Sequence, residues 1–251
     1  MPKKSLLGAI VGVLALTVAA VAIAGPQLVQ IADVKLTTKK TGKVTGVSAL
    51  LTHTDPDAQP AGNIPATVKI LLTFPKGTRA NTNAAPQCNL STTDVGNDKC
   101  PDNTVIGSGS AKANVVFGPE GPVIQDVPAT ATVYNRKNAI AVRIVSQGTA
   151  DVPPTTIPII APLTKKGVLT VNVPQLQPAG PGSKVILTYV KLSIRKKSKT
   201  VGRGENRKQV NFLTSPTTCR GKWTTVAKHT YDDGDSRTVK TTVPCTKPPT
   251  G

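Results

Sequence analysis

The chain has 251 residues, a formal net charge of +18 and 38% hydrophobic residues, with Gly 21 and Pro 22 scattered between apolar runs. This length buries a sizeable core as one large β-sandwich or two small ones, and the scattered punctuation excludes a single low-complexity block. Two histidines leave little material for general-base catalysis near neutral pH, and Phe 3, Tyr 3 and Trp 1 leave little for stacking recognition of nucleic acid or sugar rings.

At the N-terminus, Lys3 and Lys4 precede an uncharged apolar run, 6–24, that closes on Ala22-Ile23-Ala24 before Gly25-Pro26. This pattern is a secretory signal peptide with a small-x-small cleavage site. At 1.5 Å per residue the run is also long enough to cross a ~30 Å hydrocarbon core, so an uncleaved anchor is the rival reading, and membrane contact then comes only through 6–24. In either case the two lysines hold the N-terminus in the cytoplasm and the body, 25–245, is secreted or extracytoplasmic. The first cysteine, Cys88, is far from the cleavage site and the last residues, 246–251, are polar. Neither a lipoprotein nor a C-terminal anchor is expected, and 246–251 are expected to be a disordered tail.

The body is expected to be all-β, an Ig-like antiparallel sandwich with almost no helix, because no segment sustains an i, i+3, i+4, i+7 apolar pattern. In chain order, 33–38 and 43–52 are candidate strands. His53-Thr54-Asp55-Pro56-Asp57 is expected to be a solvated turn, although an imidazole and two carboxylates are the beginning of a metal site. In 66–74, Val68, Ile70, Leu72 and Phe74 alternate with polar residues and define a half-buried strand. Cys88 and Cys100 flank a short loop. In 103–117, Gly107-Ser108-Gly109-Ser110 has neither the spacing nor the following helix of a nucleophile elbow, and no Gly-Lys-Ser/Thr of a phosphate loop follows. It is expected to be a small-residue strand or bulge.

Further candidate strands are 129–134, 139–145 (Ile140, Val142 and Ile144 inward, Arg143 outward), 156–161 and 168–173. The Pro- and Gly-rich stretch 174–183 is either a linker between subdomains or a crossing loop within one sandwich. In 185–194, Ile186, Val190, Leu192 and Ile194 are expected on one face. Strand 209–213 follows, and then the hairpin 223–231 and 237–243 around Asp232-Asp233-Gly234-Asp235, a turn in preference to a calcium loop. His229 is expected at the surface or rim, and Trp223 in the core beside a disulfide.

Four cysteines in an exported chain form two bridges with three possible connectivities, and neighbourhood favours Cys88–Cys100 and Cys219–Cys245, the latter closing the C-terminal hairpin. Zinc is the competing use, but no CxxC or nearby histidine supports it, and no cofactor or metal is expected. The basic run Lys191, Arg195, Lys196, Lys197, Lys199, Arg203, Arg207 and Lys208 is the candidate binding site, a strip able to grip anionic envelope polymers by charge. Its alternative is an edge hairpin armoured against aggregation, just as net positive charge can simply keep a secreted protein soluble.

Pro86-Gln87-Cys88, Cys100-Pro101-Asp102-Asn103-Thr104-Val105-Ile106-Gly107, Thr218-Cys219-Arg220-Gly221-Lys222-Trp223, Tyr231-Asp232-Asp233-Gly234 and Val243-Pro244-Cys245 resemble the motifs of a group of uncharacterised, exported, β-rich proteins of high-GC Gram-positive bacteria. The resemblance spans about 65–245 and implies a secreted, disulfide-linked β-domain without implying an activity. The sequence thus predicts a secreted or surface-tethered, non-catalytic module with a structural or binding role at the cell envelope. A secreted hydrolase is the alternative, and nucleic acid is disfavoured as a partner.

Overall fold

The structure is a computed structural model that describes residues 28–58, 61–118, 121–178 and 180–247. The expected leader, 1–24, lies outside the described residues. Fifteen strands are found among the described residues: β1 Val29–Leu36, β2 Val47–Thr54, β3 Thr67–Thr73, β4 Arg79–Ala80, β5 Val105–Phe117, β6 Val123–Arg136, β7 Ala139–Ser146, β8 Thr155–Pro162, β9 Val168–Asn172, β10 Ser183–Ile194, β11 Ser198–Val201, β12 Lys208–Asn211, β13 Leu213–Thr214, β14 Lys222–Tyr231 and β15 Ser236–Pro244. One short helix, α1, covers Thr92–Gly96, and no described helix is long and apolar enough to cross a membrane.

Two antiparallel sheets carry the core. The larger has the order β1-β2-β10-β5-β6-β7-β8 and the smaller β15-β14-β3-β9. Alternation along each strand aims one set of side chains between them, and Val34, Leu72, Val133, Ile159, Leu169 and Trp223 belong to one buried cluster. The sheets also meet at both edges. β8 turns directly into β9, with Thr164 N donating to Val168 O at 2.9 Å. β1 lies beside β15, where Val34 N donates to Thr241 Oγ1 at 3.4 Å and that hydroxyl donates to Ala32 O.

The stretch 174–183 carries the chain from β9 in the small sheet to β10, which lies between β2 and β5 in the large one. Segments before and after it therefore contribute to both sheets. Both expected disulfides are present: Cys88–Cys100 spans 12 residues and Cys219–Cys245 spans 26, closing the open end of the β14–β15 hairpin. Trp223 is buried in the same cluster as Cys219 and Cys245 and donates Nε1–H to Thr218 O at 3.0 Å.

One expectation about facing is corrected, and in β7, where Ile140, Val142 and Ile144 face the main core as expected, the outer face proves to be covered. In β10 a bulge between Leu187 and Tyr189 shifts the pairing with β5, so that Ile186 opposes Asn114 whereas Val190 opposes Ala111. One extra residue reverses the alternation. Ile186 therefore packs on the opposite face of the sheet with Ile64, Val116 and Tyr231, and Leu187 joins Val190 and Leu192 against the main core. In β7, Ala139–Val142 are buried on both faces, because the loop closed by Cys88–Cys100 folds over the outer face and packs Cys88, Val95 and Cys100 on Tyr134 and Ala141. Arg143 is consequently half-buried and tied to that loop, with Nε donating to Gly96 O at 3.0 Å and a guanidinium nitrogen 3.3 Å from Asp98 Oδ2.

Gly107 and Gly109 are strand residues whose missing side chains are required. A Cβ at Gly109 would fall 1.9 Å from Lys191 O and one at Gly107 2.3 Å from Ser193 O, so only glycine admits β10 this closely.

Candidate anionic-ligand surface

After Ile194 the chain leaves the large sheet, and β11 and β12 form a two-stranded ribbon joined to neither sheet. Its register, Lys199 with Val210 and Val201 with Lys208, puts two lysines and two valines on one face. Val210 packs against the main core and anchors that face. The turn holds Arg203 and Arg207 around a single 3-10 turn, Gly204–Asn206, reached through Gly202 at φ +89°. Arg195, Lys196, Lys199, Arg203, Arg207 and Lys208 are exposed, as is Lys191 on β10, and Lys197 is half-buried.

The ion pairs among the described residues are Asp33–Lys35, Asp94–Lys99, Asp126–Lys112, Asp98–Arg143 and Asp232–Lys184. None includes any of these eight cations, and Glu205 in the turn is likewise absent from them. The ribbon therefore presents positive charge with no neutralising partner among the described residues, a field that favours anions and is screened by salt.

Both histidines lie elsewhere than expected. His53 belongs to β2, not to a turn, and is 2% exposed; His229 is 1% exposed on the core face of β14. The alternation Trp223, Thr225, Ala227, His229, Tyr231, buried at every position, carries His229 inward. His53 stacks on Tyr231 with ring centroids 5.0 Å apart, its Nε2 lies 2.6 Å from Pro65 O and its Nδ1 2.9 Å from Gln30 Oε1, which also accepts from Tyr231 Oη at 3.0 Å. Neither ring nitrogen of His229 has a hydrogen-bond partner among the described residues. Burial, with the nearby His53 adding to it, lowers the His229 pKa to about 4. Burial also lowers that of His53, against the opposing pull of the Pro65 carbonyl. Burial raises the Tyr231 phenol to about 12.

The remaining sequence candidates resolve into local structure. Asp57 N donates to Asp55 Oδ1 at 3.0 Å and Asp235 N to Asp233 Oδ1 at 2.9 Å, both Asx turns. Gly234 takes φ +90° in the hairpin turn. No group of three metal-ligating side chains occurs among the described residues. The described lining of a depression of about 400 Å³ beside His53 and Asp55 contains no ribbon residue. Sequence reasoning missed four further cations, Lys76, Arg79, Lys165 and Lys166, which line one groove although they come from two distant turns. The sole local signal was a lysine directly before a positive-φ glycine in each turn, Lys76-Gly77 and Lys166-Gly167.

No family model matches the chain, and neither the curated proteins nor the solved structures contain a match.

Proposed function

We propose that this chain is a secreted or surface-tethered, non-catalytic module of the cell envelope that engages anionic envelope polymers through the basic ribbon. In this reading the body is an Ig-like binding sandwich, an architecture shared by many extracellular domains of unlike sequence. The observation that carries it is the cluster of eight ribbon and β10 cations without a carboxylate partner among the described residues. Two disulfides are consistent with an oxidising exterior and support the export implied by residues 6–24 and by the resemblance to exported proteins. The enclosure of both histidines supports a role without general-base chemistry.

The test is retention of the purified protein on isolated cell envelope and on immobilised polyphosphate. Wild type is expected to be retained at low salt and released as salt rises, and the variant carrying Lys196→Gln, Lys197→Gln and Arg207→Gln to be released at markedly lower salt. Equal retention of the two proteins across the salt range would remove the ribbon from the function.

A further inference from the structure

We propose that the groove lined by Lys76, Arg79, Lys165 and Lys166 is the binding cleft for one polymer class, a polyol-phosphate chain, and that the ribbon is the outer end of the same track. This rests on the anionic-polymer reading and names its ligand. The groove has a volume of about 1200 Å³ and no Asp or Glu in its lining. All four cations are exposed and none takes part in an ion pair among the described residues.

Neutral donors add to the charge. Asn81 Oδ1 accepts from Asn83 N at 3.1 Å, and Asn83 Oδ1 from Gln87 Nε2 at 3.1 Å. With both carboxamide oxygens engaged, the two NH₂ groups are the free ends, and they suit phosphate oxygens. Thr73, Val168 and Val226 stand side by side in the strand register and form the floor. Lys240 opposes Val226 and Lys228 opposes Leu71 on that same outward face, so positive charge continues past the groove.

Continuity with the ribbon is made by one residue. Phe212 N donates to Lys197 O at 2.9 Å at the base of the ribbon, and Phe212 O accepts from Asn81 N at 2.8 Å in the groove wall. At one strand spacing on each side, the ribbon base and the groove wall lie within about 10 Å. A chain with a charge at each repeat can follow such a path, whereas a single small anion would use only part of it.

The ligand class follows from what the lining lacks. Phe74 is the lone aromatic residue lining the groove and is 4% exposed, so neither nucleic-acid bases nor pyranose faces find a stacking surface. A flexible phosphodiester of small polyols needs none.

The decisive experiment titrates the full-length protein with a short synthetic glycerol-phosphate oligomer, reading affinity at several salt concentrations and the methyl resonances of Val168 and Val226. The groove variant (Lys76→Gln, Arg79→Gln, Lys165→Gln, Lys166→Gln) is expected to bind at least about tenfold more weakly and to lose about 3 from the slope of log affinity against log salt, at roughly 0.7 per phosphate contact. In wild type both valine methyls are expected to shift on titration. If the groove variant binds as wild type does while the ribbon variant is weakened, the cleft is overturned and the ribbon reading survives. If neither variant is weakened, both fall. If polygalacturonate binds the groove more tightly than the phosphate oligomer, the polyol-phosphate assignment is overturned.

Discussion

His229 is the residue whose place the sequence could have revealed and whose consequence is thermodynamic. Extending the alternation from Trp223 puts it inside, yet imidazole polarity argues for the surface, and packing overrides that preference. A histidine with both nitrogens unpartnered is a liability in the interior, since each such group costs about 1–3 kcal/mol. Its folded-state pKa of about 4 lies below the unfolded value of 6.5, so acid favours the unfolded chain. Its contribution is fully present above pH 6.5 and is lost as pH falls toward 4, on the order of 3 kcal/mol. His53 shifts in the same direction; around it Arg237 also lowers its pKa, while Asp232 and Asp55 oppose the shift. Urea unfolding at pH 7.5 and 4.5 is expected to show this acid loss in wild type and a clearly smaller loss in His229→Leu, which should be at least as stable as wild type at pH 7.5. Asn135 differs in that only its Oδ1 lacks a partner among the described residues, while its amide nitrogen is engaged. Its Nδ2 reaches Thr82 O, Ala85 O and Pro86 O at 2.7, 2.9 and 2.9 Å. Asn135→Leu leaves those carbonyls without this donor and is expected to cost about 2–4 kcal/mol by the same assay.

Among the elements, the C-terminal hairpin was legible in its turn, register and disulfide, because an Asp-Gly turn between two alternating runs fixes its own register and brings Cys219 to Cys245. The β10 bulge was not, since alternation is read within a strand while a bulge is set by the partner strand. Nor was the cover over β7: Ser91 caps α1 by accepting from Asp94 N at 3.1 Å, but a helix of 5 residues is too short for any periodic signal. Loop-closure arithmetic gives each disulfide about 3 kcal/mol. Replacing Cys88 and Cys100 by Ser is expected to lower stability by that amount and to reduce hydrogen-exchange protection in β7, which the loop covers. Replacing Cys219 and Cys245 is expected to cost a similar amount but to loosen β14 and β15 instead, and a loss of β7 protection there would contradict the assignment of separate clusters.

At the scale of the molecule, strand order decides what can be separated from what. β10 is central in the large sheet and β14 is central in the small one, and both follow the Pro- and Gly-rich stretch that sequence alone allows as a linker. A fragment ending at residue 173 therefore lacks an interior strand of each sheet. Expressed alone, 28–173 and 184–247 are each expected to show no cooperative unfolding, and cooperative unfolding of either would mean that the chain divides there. The outward face of the small sheet carries Lys69, Lys228 and Lys240, and no carboxylate occupies the outward positions of its four strands. Charge spread through the sequence is thereby gathered on one side.

The all-β class, most of the strands, the pairing of the four cysteines and the basic ribbon could be read from residues alone, because alternation, turn chemistry and short closures are properties of neighbouring residues. Long-range packing was needed to enclose His53, to cover β7 on both faces and to bring Lys76 and Arg79 into one groove with Lys165 and Lys166. These depend on which strand lies beside which, and strand order is settled by long-range packing that no local window of sequence contains.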